Sequence, residues 1–380
     1  MSSTSGTGLI FDERYLNHDT GVQTTVTMRT GSFQLTPEPH PSSLYITQRI
    51  KQFLDGSGLT AQMHPVAARP ATENELTVYH TRNYIAAVRA HVEGGPVKGD
   101  WGEIASDTPL SRGSFDAALY AAGGAMNAVR SVMNGEVRNA YALLRPPGHH
   151  AVSNRAMGFC VFNNVAVAAH YARNVYGLER IMIVDWDVHH GNGTQDAFYS
   201  DPGVLFVSLH QHNWYPKLSG ELEQVGTGAG AGYTVNIPLP AGTGDRGYGA
   251  AFEQLVVPIG LQYRPQLVLI SAGQDANWLD PLAQMMVTMA GFRKMSELML
   301  GLAEEVCEGR LVMLQEGGYS AAYVPYCTVA AVEPLLGSDV GIADLYAGSA
   351  EVERSTTIFT RETHQALAAA RKWHKNWWKI

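Results

Sequence analysis

The sequence predicts an α/β protein built on a parallel sheet. Short β-branched runs alternate with longer helical stretches, the pattern of strands joined by right-handed crossovers. Runs such as Leu267-Val268-Leu269-Ile270 are apolar on both faces, as strands covered by helices on both sides must be. Nearly every run also ends in a cluster of polar, chemically capable residues, as expected where the carboxyl ends of parallel strands form one ligand-binding rim.

Candidate strands are 140–144, 180–184, 204–209, 266–270 and 311–314, and the helices between them are 114–134, 161–176, 248–262 and 290–307. The glycine-rich stretch 226–232 resembles a phosphate cradle, but no helix start follows it, so it reads as a tight turn before the strand-like 233–239. Segment 22–41 is polar, contains proline and shows little periodicity; it reads as a long inserted surface loop. Its Met28, Phe33 and Leu35 are apolar groups on an otherwise polar stretch, and they predict a homo-oligomer assembled through it.

The chain has 380 residues, 45% of them apolar and 16% charged, enough to bury a large core in a single domain spanning 1–380. The net charge of -8 and the lack of any basic run argue against a nucleic-acid groove. Cys160, Cys307 and Cys327 form no CxxC pair and no disulfide framework, which points to a reducing compartment. The Ser/Thr/Gly-rich start has no leader pattern, and no apolar run reaches the roughly 18 residues of a membrane span. The expectation is a soluble, cytoplasmic protein with neither nucleic acid nor membrane as partner.

The chemistry gathers after the strands. Run 140–144 leads into Arg145-Pro146-Pro147-Gly148-His149-His150, and 180–184 into Asp185-Trp186-Asp187-Val188-His189-His190. Run 266–270 leads into Ser271-Ala272-Gly273-Gln274-Asp275, and 311–314 into Glu316-Gly317-Gly318-Tyr319. Asp187 and His189 lie two apart at a strand end, so both side chains point the same way. With Asp275 from another strand they make three metal ligands and leave a position open, as catalytic zinc sites do. His149 and His150 would be costly as a bare buried pair, and histidine can both take a proton from water and return it to a leaving amine. Tyr319, held after two glycines, can donate a hydrogen bond to an oxyanion.

Together these motifs resemble the histone deacetylase family, in particular its class II branch and the bacterial histone-deacetylase-like and acetylpolyamine amidohydrolases. The stretches that carry the resemblance are RPPGHH (145–150), GFCVFNN (158–164), VDWDVHHGNGTQ (184–195), VSLHQ (207–211), GYTVNIPLPAG (232–242), SAGQDA (271–276) and QEGGY (315–319). The resemblance implies the arginase/deacetylase fold, a parallel sheet of roughly eight strands with helices on both faces. It implies hydrolysis of the amide of acylated amines such as acetyl-lysine, with one zinc ion on Asp187, His189 and Asp275. It makes His150 the general base and acid, His149 its electrostatic partner near Asp185, and Tyr319 the group that polarises the substrate carbonyl. Gly158, Phe159 and Tyr215 would wall the channel, with Leu282 at its mouth. A structural potassium ion would be held at Asp185, Asp187, His189, Ser208 and Leu209.

Several positions depart from the family pattern. Asn192 stands where class I members have Asp, which marks the class II branch. Gln274 stands where many members have Phe, and Lys217 follows Tyr215-Pro216 where Gly is usual. In the polyamine-selective eukaryotic branch a glutamate follows an Asp-Pro pair; here Leu282 follows Asp280-Pro281, which favours acyl-lysine or neutral amides unless Glu38 or Asp100 brings a carboxylate to the mouth. Other readings are an acetylpolyamine deacetylase, a catalytically inactive acyl-ligand binder, and an arginase-like enzyme with two manganese ions. The last would need carboxylates at Trp186, Val188 and Ala276 or Asn277, where this chain has none.

Overall fold

Eight strands pair into one wholly parallel sheet: β1 (Thr7–Ile10), β2 (His64–Val66), β3 (Asn139–Ala142), β4 (Ile181–Asp185), β5 (Val204–Gln211), β6 (Thr234–Leu239), β7 (Leu267–Ala272) and β8 (Leu311–Gln315). The order across the sheet is β6-β5-β4-β7-β8-β3-β1-β2. The structure is a computed structural model that describes residues 6–28, 31–94, 103–104, 107–346 and 360–380, with backbone alone at 23–28, 31–33, 35 and 103–104.

Strand alternation divides the interior into two cores. Ile181 and Ile183 of β4 join Leu267 and Leu269 of β7 on one face, under α2 (Ser114–Met133) and α3 (Asn164–Tyr176). Met182 and Val184 join Val268 and Ile270 on the other. There they pack with α1 (Leu44–Gly56), α4 (Met289–Cys307) and α5 (Val324–Leu336). Both faces of the central strands are buried, as their continuous apolar runs require. The chain turns outward through β5 and β6 after β4, but toward β8 on the opposite side after β7. The junction of β4 and β7 is thus a topological switch point, where the carboxyl ends diverge and leave a crevice.

The eight-stranded sheet matches the expected fold, with differences in detail. Segment 22–41 is not an irregular loop. Val22–Met28 and Gly31–Pro39 form an antiparallel hairpin, closed at its base by His40 N–H donating to the Gly21 carbonyl at 3.1 Å. Its β-branched Val and Thr residues favour extended backbone, but with few apolar alternates the pattern concealed the strands. The side chains of Met28, Phe33 and Leu35 lie outside the described residues, as does Asp100. Helix 161–176 starts later, at Asn164, because the Asn163 side chain accepts from Ala166 N–H and caps it; Val161 and Phe162 are buried ahead of the cap. Helix 248–262 is a continuous helical stretch over 245–263 with a π turn at Phe252–Val256 just before Pro258, whose ring and missing N–H disrupt regular α bonding there. Strand β1, of four residues, and the edge strand β2, of three, are too short for a periodicity to reveal. The stretch 226–232 is a short 3-10 turn leading into β6, as read. Among the described residues no helix is long and apolar enough to cross a membrane.

The buried α2 carries two consecutive glycines for a packing reason. A Cβ at Gly123 would lie 1.8 Å from the Arg69 carbonyl oxygen, and Ala71 N–H donates to the Leu119 carbonyl of the same helix at 2.8 Å. Gly→Ala in an open helix interior gains about 1 kcal/mol. Gly123→Ala is expected to reverse that sign and cost about 1–3 kcal/mol, read as a lower denaturant midpoint at unchanged m-value.

Candidate functional site

Three carboxylates meet at the switch point. Asp185 closes β4, and it is in register with Ser208 of β5 and Ser271 of β7. Asp187 follows it, and Asp275 leaves β7; all three aspartates are fully buried. Backbone N–H groups hold them in place. Asp185 Oδ1 accepts from Asp187 N–H (3.1 Å), Asp275 Oδ1 from Val188 N–H (2.8 Å), and Asp187 Oδ1 and Oδ2 from the N–H groups of His189 (2.9 Å) and Gly317 (2.8 Å). The His189 ring turns between two of them, with Nδ1 3.2 Å from Asp187 Oδ1 and 3.0 Å from Asp275 Oδ2.

Donor atoms of Asp187, His189 and Asp275 all lie within 4.8 Å of one another, a spacing that can hold a metal ion. The donor set suits a divalent cation: two carboxylates and one imidazole. The glycines around it are there for room. A Cβ at Gly317 would lie 2.4 Å from Asp275 Oδ2 and 2.6 Å from Asp187 Oδ2, and one at Gly273 would lie 2.1 Å from Asp187 Oδ2. Burial, with Asp187 beside it, pushes the Asp275 carboxyl up, and a bound cation would offset that cost. A second trio, His149, Cys160 and Glu316, is equally close, but its atoms are engaged otherwise. Glu316 Oε2 accepts from the N–H groups of Gly148 (2.7 Å) and His149 (3.2 Å), and burial pushes the Cys160 thiol well up.

The adjacent histidines are driven to opposite charge states. Burial disfavours a charged His149, but Asp187 and Asp185 outweigh it and raise its pKa well above the ordinary value. Its Nδ1–H donates to Asp185 Oδ2 at 3.0 Å. Burial, and then the neighbouring His149, hold His150 well below the ordinary value, which favours the neutral ring. Asn192 fixes its tautomer. The Asn192 Nδ2 donates to the His150 carbonyl (3.3 Å), which turns Oδ1 to accept from His150 Nδ1–H (2.8 Å) and leaves Nε2 as the basic nitrogen. Burial keeps the Tyr319 phenol protonated, with its pKa pushed well above 10.

These groups form the floor of one cavity of about 410 Å³, lined by His150, His189 and Tyr319 below and by Trp214, Lys217 and Leu282 at the rim. Gly158, Phe159 and Tyr215 make its walls. Both Gly158 (φ +56°) and Phe159 (φ +67°) are left-handed; a Cβ at Gly158 would strike His150 Cδ2 at 2.3 Å. The residue that holds this turn is Asp107, which the sequence reading missed. Its Oδ1 accepts from Gly158 N–H (3.1 Å), its Oδ2 from the Tyr215 hydroxyl (2.7 Å), and Thr108 Oγ1 accepts from Phe159 N–H (3.1 Å). Asp107 sits in no strand and no periodic pattern; its only local signal is a turn-forming Asp-Thr-Pro. It also takes the place considered for Glu38, which is exposed on the hairpin, as the carboxylate at the cavity wall.

The remaining sequence candidates are brought close as well. Ser208 and Leu209 are buried on β5 beside Asp185, with the Ser208 hydroxyl 2.9 Å from His210 Nδ1. Gln274 is buried in an amide chain, its Oε1 accepting from Gln315 Nε2 at 2.6 Å while Gln315 Oε1 accepts from the Tyr141 hydroxyl at 2.7 Å. Trp186 and Val188 are buried in the hydrophobic core.

Residues 40–335 match the histone deacetylase domain family. The chain is 38% identical over 366 residues to a histone deacetylase-like amidohydrolase of Pseudomonas aeruginosa, covering 96% of this chain and 95% of the relative. It is also 38% identical to a probable deacetylase of Archaeoglobus fulgidus, over 88% of this chain and 87% of the relative. The crystal structure of the HD domain of HDA15 superposes with a TM-score of 0.84 at 34% identity, covering 99% of this chain and 96% of that one.

From the donor geometry alone, the purified chain is expected to hold one divalent transition-metal ion. Asp275→Ala should reduce elemental analysis to well under one ion per chain; an undiminished metal content would place the ion elsewhere.

Proposed function

Because the chain belongs to the histone deacetylase family, we propose that it is a zinc-dependent amidohydrolase that removes acyl groups from acyl-lysine or similar acylated amines. The observation that supports this most is the convergence of Asp187, His189 and Asp275 donor atoms within 4.8 Å of one another, with His189 lining the same cavity as His150 and Tyr319. Zinc, when held by those three residues, supplies Lewis acidity toward the carbonyl oxygen and acidifies a water.

The protein's own groups do the rest. Phe159 and Tyr215 flank the hydrocarbon stem, and the amide carbonyl reaches the floor. Tyr319 donates its phenolic proton as a hydrogen bond to the carbonyl oxygen as negative charge develops there. His150 Nε2 takes the proton of the attacking water. The water's oxygen joins the acyl carbon, the C–N bond breaks, and His150 returns the proton to the amine nitrogen, giving a carboxylic acid and a free amine. His149, held positive by Asp185, stabilises negative charge beside this centre without titrating. Asp185, Asp187, His189, Ser208 and Leu209 are proposed to hold a structural potassium ion, and the inserted segment 22–41 to mediate homo-oligomerisation.

His150→Ala is expected to lower kcat by about 10²–10⁴, and Tyr319→Phe by about 10²–10³, with zinc content unchanged in both. Steady-state kinetics on an acetyl-lysine peptide, paired with elemental analysis, checks them; near wild-type turnover in either variant would refute the assigned role.

Leu282 offers hydrocarbon, not charge, at the rim. Acetyl-lysine peptides should therefore be preferred over N8-acetylspermidine, and Leu282→Glu should shift the kcat/KM ratio toward the polyamine. A wild-type preference for the polyamine would favour the acetylpolyamine deacetylase reading instead.

A further inference from the structure

The cavity rim carries two charged side chains, Asp107 and Lys217, and they differ in how far their charge is answered. Both Asp107 oxygens are occupied: Oδ1 accepts from Gly158 N–H and the Thr108 hydroxyl (2.9 Å), Oδ2 from the Tyr215 hydroxyl. Three donors turned toward one carboxylate stabilise its charge and tie it into the wall, whereas Lys217 is exposed and, among the described residues, has no hydrogen bond and no ion pair. On the same loop Glu221 is already engaged by His212 at 3.3 Å. Asp280, the nearest carboxylate in sequence to Leu282, is buried and accepts from the N–H groups of Leu282 (2.9 Å) and Tyr319 (2.7 Å).

Lys217 shares the cavity rim with apolar side chains. Trp214 and Leu282 share the rim with it, and Trp214 Nε1–H donates to the Leu282 carbonyl at 2.7 Å, which joins the two rim loops. Leu218, next in the chain, is 81% exposed with φ +63°. The Lys217 ammonium is an unanswered positive charge at the cavity rim, and its field attracts an anion arriving there. One cavity is lined both by His150, His189 and Tyr319 and by Lys217, so a short substrate can meet both sets of groups at once.

We propose that Lys217 makes this site select acylated amines that carry a carboxylate on the amine side, with Nε-acyl-lysine bearing a free α-carboxylate as the reference substrate. The inference rests on the amidohydrolase reading above and sharpens it. A lysine stem lying between Phe159 and Tyr215 brings its α-carbon out at the rim, where a carboxylate meets the Lys217 ammonium. The same ammonium repels the distal amines of an acetylated polyamine, independently of Leu282. The chemistry is unchanged: water adds, the amide C–N bond breaks, and the products are the free acid and an amine that still carries its carboxylate.

The test uses the zinc-loaded full chain and two peptides of one sequence ending in acetyl-lysine, one with a free C-terminus and one amidated. Product is followed by mass spectrometry to give kcat/KM for each. The free acid should be favoured about fivefold at low salt, the scale of one partly exposed ion pair, with the difference in KM. In 1 M salt, where the Debye length falls to about 3 Å, the ratio should approach one. Lys217→Met should bring it to about one at low salt, and Lys217→Glu should invert it. Being exposed, position 217 tolerates these changes in folding, which a melting curve verifies. A ratio unaltered by either substitution, or one that persists in 1 M salt, overturns the proposal while leaving the hydrolase reading in place. Failure of the zinc-loaded wild type to cleave either peptide overturns the hydrolase reading, and the proposal with it.

Discussion

Everything in the centre of this protein follows from the burial of three aspartates side by side. Removing a carboxylate from water costs several kcal/mol even after relaxation, and neighbouring like charges add to that. The strand ends offset the cost with backbone N–H donors, because Asp187, Val188, His189 and Gly317 all present theirs to a carboxylate oxygen. Such donors are available only where the chain leaves the sheet ladder, which is why the cluster sits at the β4/β7 switch point. Carboxylate volume also dictates the surrounding glycines. A Cβ at Gly191 would lie 2.2 Å from Asp185 Oδ2, and Gly273 and Gly317 are crowded in the same way. The glycines after the double histidine, in SAGQDA and in QEGGY are thus one steric consequence of one electrostatic arrangement.

The same cluster separates two neighbouring histidines into two chemical species. Their ring centroids are 4.0 Å apart, so two like charges there would repel strongly. Asp185 and Asp187 attract the proton to His149, and that charge in turn keeps it off His150. Burial alone would have left both neutral. Asn192 completes the division, because a neutral amide orients the second ring without offering a negative charge that would draw a proton to it. A carboxylate in its place would raise the affinity of His150 for a proton and change how readily that ring acts as a base.

The floor of the site was legible in the sequence and most of the rim was not, for a physical reason. Asp187, His189, Asp275, His149, His150 and Tyr319 all follow short buried apolar runs, so a reader who finds the strands finds their carboxyl ends and the residues there. Asp107 follows only the two-residue strand Glu103–Ile104, too short to read, and its contacts with Gly158 and Tyr215 lie 51 and 108 positions away in the chain. No local pattern encodes such a contact. The fold shows the same contrast. Central strands, buried on both faces, stood out; β2, three residues long at the sheet edge, did not. The Val22–Pro39 hairpin was taken for a loop because its extended backbone is specified by Val and Thr propensity rather than by an apolar face.

Floor and rim also differ in how they can change. Beneath the floor the carboxylates of Asp185, Asp187 and Asp275 are answered by backbone N–H groups and by His149 and His189, so altering one residue leaves a buried partner unsatisfied, at about 1–3 kcal/mol for a neutral group and more for a charge. The rim is drawn from four separate segments, around Asp107, Phe159, Tyr215 and Leu282, tied by a few bonds: Tyr215 to Asp107, Asp107 to Gly158, and Trp214 to the Leu282 carbonyl. The bonds to Gly158 and Leu282 use backbone atoms on those residues, so the side chain at 282 can vary without breaking the ring that positions it. Lys217 needs no bond at all to sit there. A scaffold built this way holds one bond-breaking chemistry constant while the groups that meet the rest of the substrate remain free to differ.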